Sequence, residues 1–368
     1  MIKWGIIGLG NMGQKFANSI KETDNAKLIA VSSLNIDKLK FFKNNFQIEN
    51  NFVFNDYNDL IKCNEIDAVY IATLNNTHLD LIKKCAENNK NILCEKPMSL
   101  NFEEAKVAAS YIKKFKIMFY EAIAYTSHAQ TKNFIDLINE KKIGEIISIH
   151  STFGFKVKKI NPKSRIFDKT LGGGAILDIG SYPISFLNLI FSNNENFKFK
   201  NAKGSFSITG VDDSAEANLI IRNNIQVNIK VSFKENLDNK TIVYGKTGNL
   251  ILKNPWLPEE KSFIEVNYDD SNYKKFTTSN KSLFGNQIQN VSAKIHDKEI
   301  TDDSKNNKIK ISKKEKIKEN EKKESINKIN FLNILAVTII SFVALILVIE
   351  TFKFQISNLI PDIDFYLF

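Results

Sequence analysis

The sequence predicts an α/β chain: an N-terminal doubly wound parallel sheet, an α+β domain on a large, mostly antiparallel sheet, then a linker and one transmembrane helix. Three observations carry this expectation. Short apolar runs alternate with helical periodicity up to residue 120, period-two stretches follow in residues 121–298, and residues 331–349 form an apolar run without charge. A chain of 368 residues has room for two cores, since domains typically run ~100–200 residues. The expected boundaries are 1–120 and 121–298 for the domains, 299–330 for the linker, 331–349 for the span and 350–368 for a short tail.

In the first domain, Ile2 to Ile7 is a short apolar strand that runs into a glycine loop, and Asn11 to Lys21 reads as a helix. Ala26 to Ser32 is the second strand, Asp37 to Phe46 is helical, and Ala68 to Ala72 is a buried strand. His78 to Asn88 places Leu79, Ile82, Cys85 and Ala86 on one side of a helix. Asn91 to Cys94 and Phe102 to Phe115 add a strand and a helix, which completes the strand–helix rhythm of a doubly wound domain.

Beyond Tyr120 one helix, about His128 to Lys141, leads to long β stretches. These are Glu145 to Lys156, Lys198 to Thr209, Ala215 to Ile221, Gln226 to Phe233 and Thr241 to Leu252. The alternation Gln226-Val227-Asn228-Ile229-Lys230-Val231 implies a sheet with one wet or partner-covered face, and hence a homodimer. Asp302 to Lys328 is rich in Lys, Glu and Asn with little to bury. Phe331 to Ile349 has only Asn333, Thr338 and Ser341 as polar side chains. At ~1.5 Å per residue such a run matches the hydrocarbon thickness. Lysines precede it, so the large N-terminal part is expected in the cytoplasm.

The net charge of +10 does not point to nucleic acid, because much of the excess lies in Lys305 to Lys328 and no arginine cluster exists. Cys63, Cys85 and Cys94 are widely spaced, which argues against a disulfide framework or a metal site. Ile2 to Leu9 is already a strand, so no signal peptide is expected.

The chemistry begins at Gly8-Leu9-Gly10-Asn11-Met12-Gly13. A Gly-x-Gly-x-x-Gly alone is weak, but here it follows a strand and opens a helix, the context of a Rossmann phosphate loop. Gly8 permits the tight turn, Gly10 the approach of a pyrophosphate, and Gly13 close packing of helix on strand. The end of the second strand separates NAD from NADP, and Ser32-Ser33-Leu34-Asn35 offers neither acid nor arginine. Ser33 and Asn35 can hydrogen-bond a phosphate and Lys38 can reach it, so the cofactor is NADP or NAD with a lean toward NADP. Two further segments stand out. Cys94-Glu95-Lys96-Pro97 ends a buried strand, where open α/β sheets bind ligands. Leu171 to Pro183 opens with a run of three glycines, Gly172 to Gly174, and Asp178 and Tyr182 share a face if that stretch is helical, although Pro183 fits only a first turn. On spacing alone Lys96 is as readily a solvated loop residue, and Tyr182 more often a core tyrosine.

Taken in order, the glycine loop, Ala72-Thr73-Leu74-Asn75-Asn76-Thr77-His78, Glu95-Lys96-Pro97 and Gly172-Gly173-Gly174 through Tyr182 resemble the Gfo/Idh/MocA oxidoreductases. The resemblance is to the branch containing glucose–fructose oxidoreductase and the dihydrodiol and xylose dehydrogenases. It covers residues 1 to 295, extended by Tyr244 to Gly248 and Pro255-Trp256. It implies hydride transfer between a nicotinamide and a sugar, polyol or dihydrodiol carbon. Tyr182 would be the acid/base, with Lys96 lowering its pKa, ordinarily ~10, and holding the substrate oxygen. Asp178 would orient substrate or Lys96, and Arg165 and His128 would contact substrate. Gly8, Gly10, Asn11, Met12, Gly13, Ser33, Lys38, Thr73, Asn75, His78, Glu95 and Lys96 would form the cofactor pocket.

Four departures matter. Leu74 replaces the family's proline, Tyr125-Thr126-Ser127-His128-Ala129 lacks its arginine and proline, and Leu34 stands where NADP-using relatives often have arginine. The family's closing C-terminal helix is not recognisable. The lost closing helix and the altered Tyr125 to Ala129 stretch leave open a second reading, an inactive dinucleotide-binding sensor or partner module tethered to the membrane.

Overall fold

The computed structural model describes residues 1–191, 197–222, 224–268 and 270–298. Strands β1 (Ile2–Ile7), β2 (Ala26–Ser32), β3 (Val53–Phe54), β4 (Ala68–Ile71), β5 (Asn91–Cys94) and β6 (Phe119–Glu121) form one sheet in the order β3-β2-β1-β4-β5-β6. Every pairing in it is parallel. The central strands β1, β4 and β5 are almost wholly buried, which is why they read as apolar runs. On one face Ile6, Tyr70 and Leu93 pack against Phe16 of α1 (Asn11–Ser19) and Leu39 and Phe42 of α2 (Ile36–Phe46). On the other, Ile7, Val69, Ile71 and Ile92 meet α3 (Tyr57–Lys62), α4 (His78–Glu87) and α5 (Phe102–Phe115). β3 and β6 have two and three residues, too short to show a period.

The second domain opens with α6 (Ala129–Asn139) and β7 (Ile146–Gly154), followed by α7 (Ser181–Ile190). Seven strands follow: β8 (Phe197–Phe206), β9 (Asp212–Ile221), β10 (Ile225–Ser232), β11 (Lys240–Gly245), β12 (Gly248–Lys253), β13 (Lys261–Asn267) and β14 (Asn272–Thr278). The sheet order is β14-β13-β12-β11-β7-β10-β9-β8, antiparallel except for β7 beside β10. Thr241 to Leu252, which reads as one strand, is a hairpin whose Gly245 faces Gly248 across its turn. One sheet face packs on Phe134, Leu137, Ile184 and Phe186 of α6 and α7. The other carries a polar row: Asn228 Nδ2 donates to Asn218 Oδ1 at 2.9 Å, and Asn218 Nδ2 to Asn201 Oδ1 at 2.8 Å.

The chain then returns to the first domain. Residues 283–298 form helix α8, whose Ile288, Val291 and Ile295 join the core around Trp4 and Phe16. Trp4 Nε1 donates to Ser292 Oγ at 3.0 Å, and Asn25 Nδ2 donates to the Gln289 carbonyl at 2.9 Å. The expectation that no closing helix is recognisable is thereby corrected: Ile288, Val291 and Ile295 pack with the first domain, while Leu283 at the start of the helix packs against the second-domain core. Three buried apolar side chains at helical spacing, set among polar residues such as Asn290 and Lys294, leave little periodic signal. Among the described residues no helix is long and apolar enough to cross a membrane. The expected linker 299–330, span 331–349 and tail 350–368 lie outside the described residues.

Candidate active site

A cleft of about 750 Å³ opens at the C-terminal ends of the parallel strands, between the first domain and the second. That is where an open parallel sheet binds ligands. The loop after β1 forms one wall. Gly8 has φ +96°, and a Cβ there would lie 2.6 Å from the Ala72 carbonyl. A Cβ on Gly13 would lie 2.4 Å from the Gly8 carbonyl, so that glycine lets α1 seat against the loop. A Cβ on Gly10 would meet nothing within 4 Å and would project into the cleft. A bare backbone facing the N-terminus of α1 suits a pyrophosphate. Asn11, Met12, Ser33, Lys38, Thr73, Asn75 and Glu95 line the same space. Ser33 Oγ accepts the Asn35 N–H at 3.1 Å, and Asn35 Oδ1 accepts the Lys38 N–H at 3.0 Å. The second bond caps α2, and Lys38 in its first turn lines the cleft.

The opposite wall brings four predicted residues together. Lys96 Nζ donates to Asp178 Oδ1 at 2.9 Å and also to the Asp178 carbonyl. Arg165 Nη1 donates to the same Oδ1 at 2.7 Å. The Lys96 ammonium stands 5.1 Å from the centre of the Tyr182 ring. Local structure explains the convergence. Gly172 and Gly174 turn the chain with φ +74° and +122°, and a π-helical turn, Ile176–Gly180, carries Asp178. α7 continues directly from this turn at Ser181, with Pro183 as its third residue. Phe153, Tyr125 and Trp256 surround the Tyr182 ring with centroids at 5.2, 6.0 and 6.1 Å.

Electrostatics divide these groups. Burial pulls the Lys96 ammonium downward, but Tyr182, Asp178 and Glu95 outweigh it and hold its pKa above the ordinary value. For Asp178 burial pushes up, and Lys96 and Arg165 reverse that, so the carboxyl stays low. Tyr182 goes the other way. Burial raises its hydroxyl more than Lys96 lowers it, which corrects the expectation of a net lowering. Beneath Lys96 sits an acid that the motifs did not point to. Glu121 closes β6 and accepts the Met98 N–H at 2.8 Å, and its buried Oε2 has no hydrogen-bond partner among the described residues. Burial pushes its carboxyl up to about 7. Glu95 is also raised by burial, and accepts the Tyr70 hydroxyl at 2.5 Å.

Three predicted residues do not line the cleft: Gly13, which seats α1 against the loop, His78 and His128. His78 is buried, with Nδ1 2.8 Å from the Pro97 carbonyl and Nε2 3.3 Å from that of Thr73. It ties the loop after β4 to the loop after β5 and does not line the cavity. His128, expected to contact substrate, instead caps α6: its Nδ1 accepts the Gln130 N–H at 3.1 Å. The altered stretch around it still serves the site, since the Tyr125 hydroxyl donates to the Tyr182 carbonyl at 3.1 Å. Phe153, Phe155 and Leu257 line the cleft and were not foreseen. The only sequence signal was the spacing of Phe153 and Phe155, which puts both on one side of a strand.

Fold and site together define a nicotinamide-dinucleotide oxidoreductase. Residues 2–122 match the family described as "Oxidoreductase family, NAD-binding Rossmann fold", and residues 132–251 match the "GFO/IDH/MocA C-terminal domain". The trans-1,2-dihydrobenzene-1,2-diol dehydrogenase of Xenopus tropicalis is 30% identical over 259 residues, 70% of this chain and 77% of that one. The Mus musculus enzyme of the same name is 26% identical over 261 residues, covering 70% and 77%. Among solved structures, a 3-ketoreductase from Actinomadura kijaniata in complex with NADP and TDP-benzene superposes with TM-score 0.72 at 21% identity, covering 80% of this chain and 90% of that one. The aldose-aldose oxidoreductase from Caulobacter crescentus gives TM-score 0.73 at 20% identity, covering 79% and 88%. The chain belongs to the Gfo/Idh/MocA oxidoreductase family and is an NAD(P)-dependent oxidoreductase.

Proposed function

We propose that the cleft reduces or oxidises one carbon of a cyclic sugar, polyol or dihydrodiol, with Tyr182 as the acid/base and Lys96 as its partner. The observation that carries this reading is the meeting of Lys96, Asp178 and Tyr182 across the cleft from the glycine loop. When bound, the nicotinamide supplies or accepts the hydride. The chain's own residues manage the proton and the substrate oxygen. Lys96 has three N–H donors and directs two at Asp178, which leaves one for the substrate oxygen. Tyr182, raised by burial, is protonated at neutral pH and suited to give its proton to a nascent alkoxide. Asp178 Oδ1 is held by Lys96 and Arg165, so Oδ2 is available to a substrate hydroxyl. Phe153, Phe155, Trp256 and Leu257 favour a ring with an apolar face, in keeping with the dihydrodiol dehydrogenases among the relatives.

NADP is the preferred cofactor in this reading. No acid stands at the end of β2, and Lys38 makes no ion pair among the described residues while it lines that end of the cleft. Two further features rest on the sequence. The apolar run 331–349 supports a single-pass anchor with the folded domains in the cytoplasm, and full-length protein that stays in the soluble fraction without detergent would refute it. The open sheet face supports a homodimer, and a solution mass of one copy would refute that.

The test is to assay the purified full-length chain with NADPH and NADH over a panel of aldoses and ketoses, and with NADP+ and NAD+ over cyclic diols. We expect turnover on a ring substrate and tighter binding of NADPH. Tight cofactor binding without turnover on any carbonyl or diol would instead support the sensor reading.

A further inference from the structure

We propose that Asp212, at the start of β9, is a positioning residue whose carboxylate anchors the turn that carries Asp178 and Tyr182. The inference rests on the reading of those two side chains as the reacting cluster. Asp212 belongs to the sheet and lies outside the cleft lining. Its Oδ2 accepts the Ile176 N–H at 2.7 Å. The Ala175 N–H is directed at the same carboxylate. These are the leading N–H groups of the π-helical turn, which has no side-chain cap of its own. A helix start left without partners for such groups is unstable, and here the partner comes from a strand 36 residues further along the chain.

The third glycine of the run exists for this contact. A Cβ on Gly174 would lie 2.1 Å from Asp212 Oδ1, so no other residue lets the carboxylate reach the turn. Gly174 also sits at φ +122°, and its carbonyl accepts the Asp178 N–H at 3.0 Å. The carboxylate therefore fixes the residue that begins the turn, the turn fixes Asp178, and Asp178 holds Lys96. Burial raises the Asp212 carboxyl to about 6, so it is kept as an anion near neutral pH against its surroundings. Asp213 next to it is occupied separately, accepting the Ser205 hydroxyl at 2.6 Å.

The experiment compares wild type, Asp212→Asn and Asp212→Ala by amide hydrogen exchange, NADPH binding and steady-state kinetics. Ile264→Ala, a core substitution on β13 away from the turn, serves as a control for lost stability. For Asp212→Ala we expect at least tenfold faster exchange at the amides of Ala175 to Asp178. We also expect kcat to fall ~10- to 100-fold, with NADPH affinity within about twofold of wild type. Asp212→Asn keeps one acceptor oxygen and should recover most of both, which also keeps the test decisive if the alanine variant does not fold. Unchanged exchange at those amides, or an equal loss of kcat in Ile264→Ala, overturns the proposal. Tyr182→Phe separates the two claims: if it is inert while Asp212→Ala is fully active, only the positioning role falls.

Discussion

The Tyr182 hydroxyl is governed by two opposed effects, and the stronger is the one a sequence does not display. A lysine ammonium beside a phenol lowers its pKa, and Lys96 does act on Tyr182 in that sense. Enclosure by Phe153, Tyr125 and Trp256 removes water and reverses the net direction. Glu121 follows the same logic more strongly. Its carboxyl rises from 4.5 to about 7, so the folded chain holds this proton more tightly than the unfolded one. Its contribution favours the folded state at low pH and is lost as pH rises from 4.5 to about 7. Glu121→Gln should therefore be little different from wild type near pH 4.5 and more stable at pH 8, by up to roughly 3 kcal/mol. Paired thermal melts across that range check it, and a constant difference between the two proteins would contradict it.

Among the elements, the turn from Gly172 to Tyr182 and helix α8 depend on different physics. The turn is backbone chemistry: Gly174→Ala would introduce a strained φ and an overlap with Asp212, destabilising the chain by ~2–4 kcal/mol. Chemical denaturation reads that value. α8 depends on burial. Ile295 is fully enclosed against the first domain, and Ile295→Ala should cost about 2–5 kcal/mol in the same measurement. Ser292→Ala strips the Trp4 N–H of its partner, at about 1–3 kcal/mol.

These two elements also show what sequence reading could reach. The glycine loop was legible because its requirement is local: a turn, a bare backbone and a close packing contact within six residues. Lys96, Asp178 and Tyr182 were legible as a set because their motifs occur in a fixed order, although their contacts join residues 82 apart. α8 was missed because three buried apolar positions set among polar residues make a faint stripe, visible only once Trp4 and Phe16 are there to receive it. His128 was misplaced because a histidine near a motif looks functional, while its ring is used to cap a helix. Asp212 and Glu121 were not picked out at all, since an acid on a strand carries no periodic or motif signal.

For the whole molecule, the cleft forms between two domains that α8 helps to hold in one chain path. The two departures behind the sensor reading weigh differently in this light: the closing helix is present, and Tyr125 supports Tyr182 directly. What remains is the cluster of Lys96, Asp178 and Tyr182 across the cleft from the glycine loop, the cluster proposed to move the proton. Stopped-flow NADPH oxidation with a ring ketone, or NADP+ reduction with the corresponding diol, comparing wild type with Tyr182→Phe, measures that step. We expect the hydride-transfer rate to fall by ~100-fold or more in the variant, with NADPH affinity unchanged. A variant that transfers hydride at the wild-type rate would contradict the assignment of Tyr182 as the acid/base.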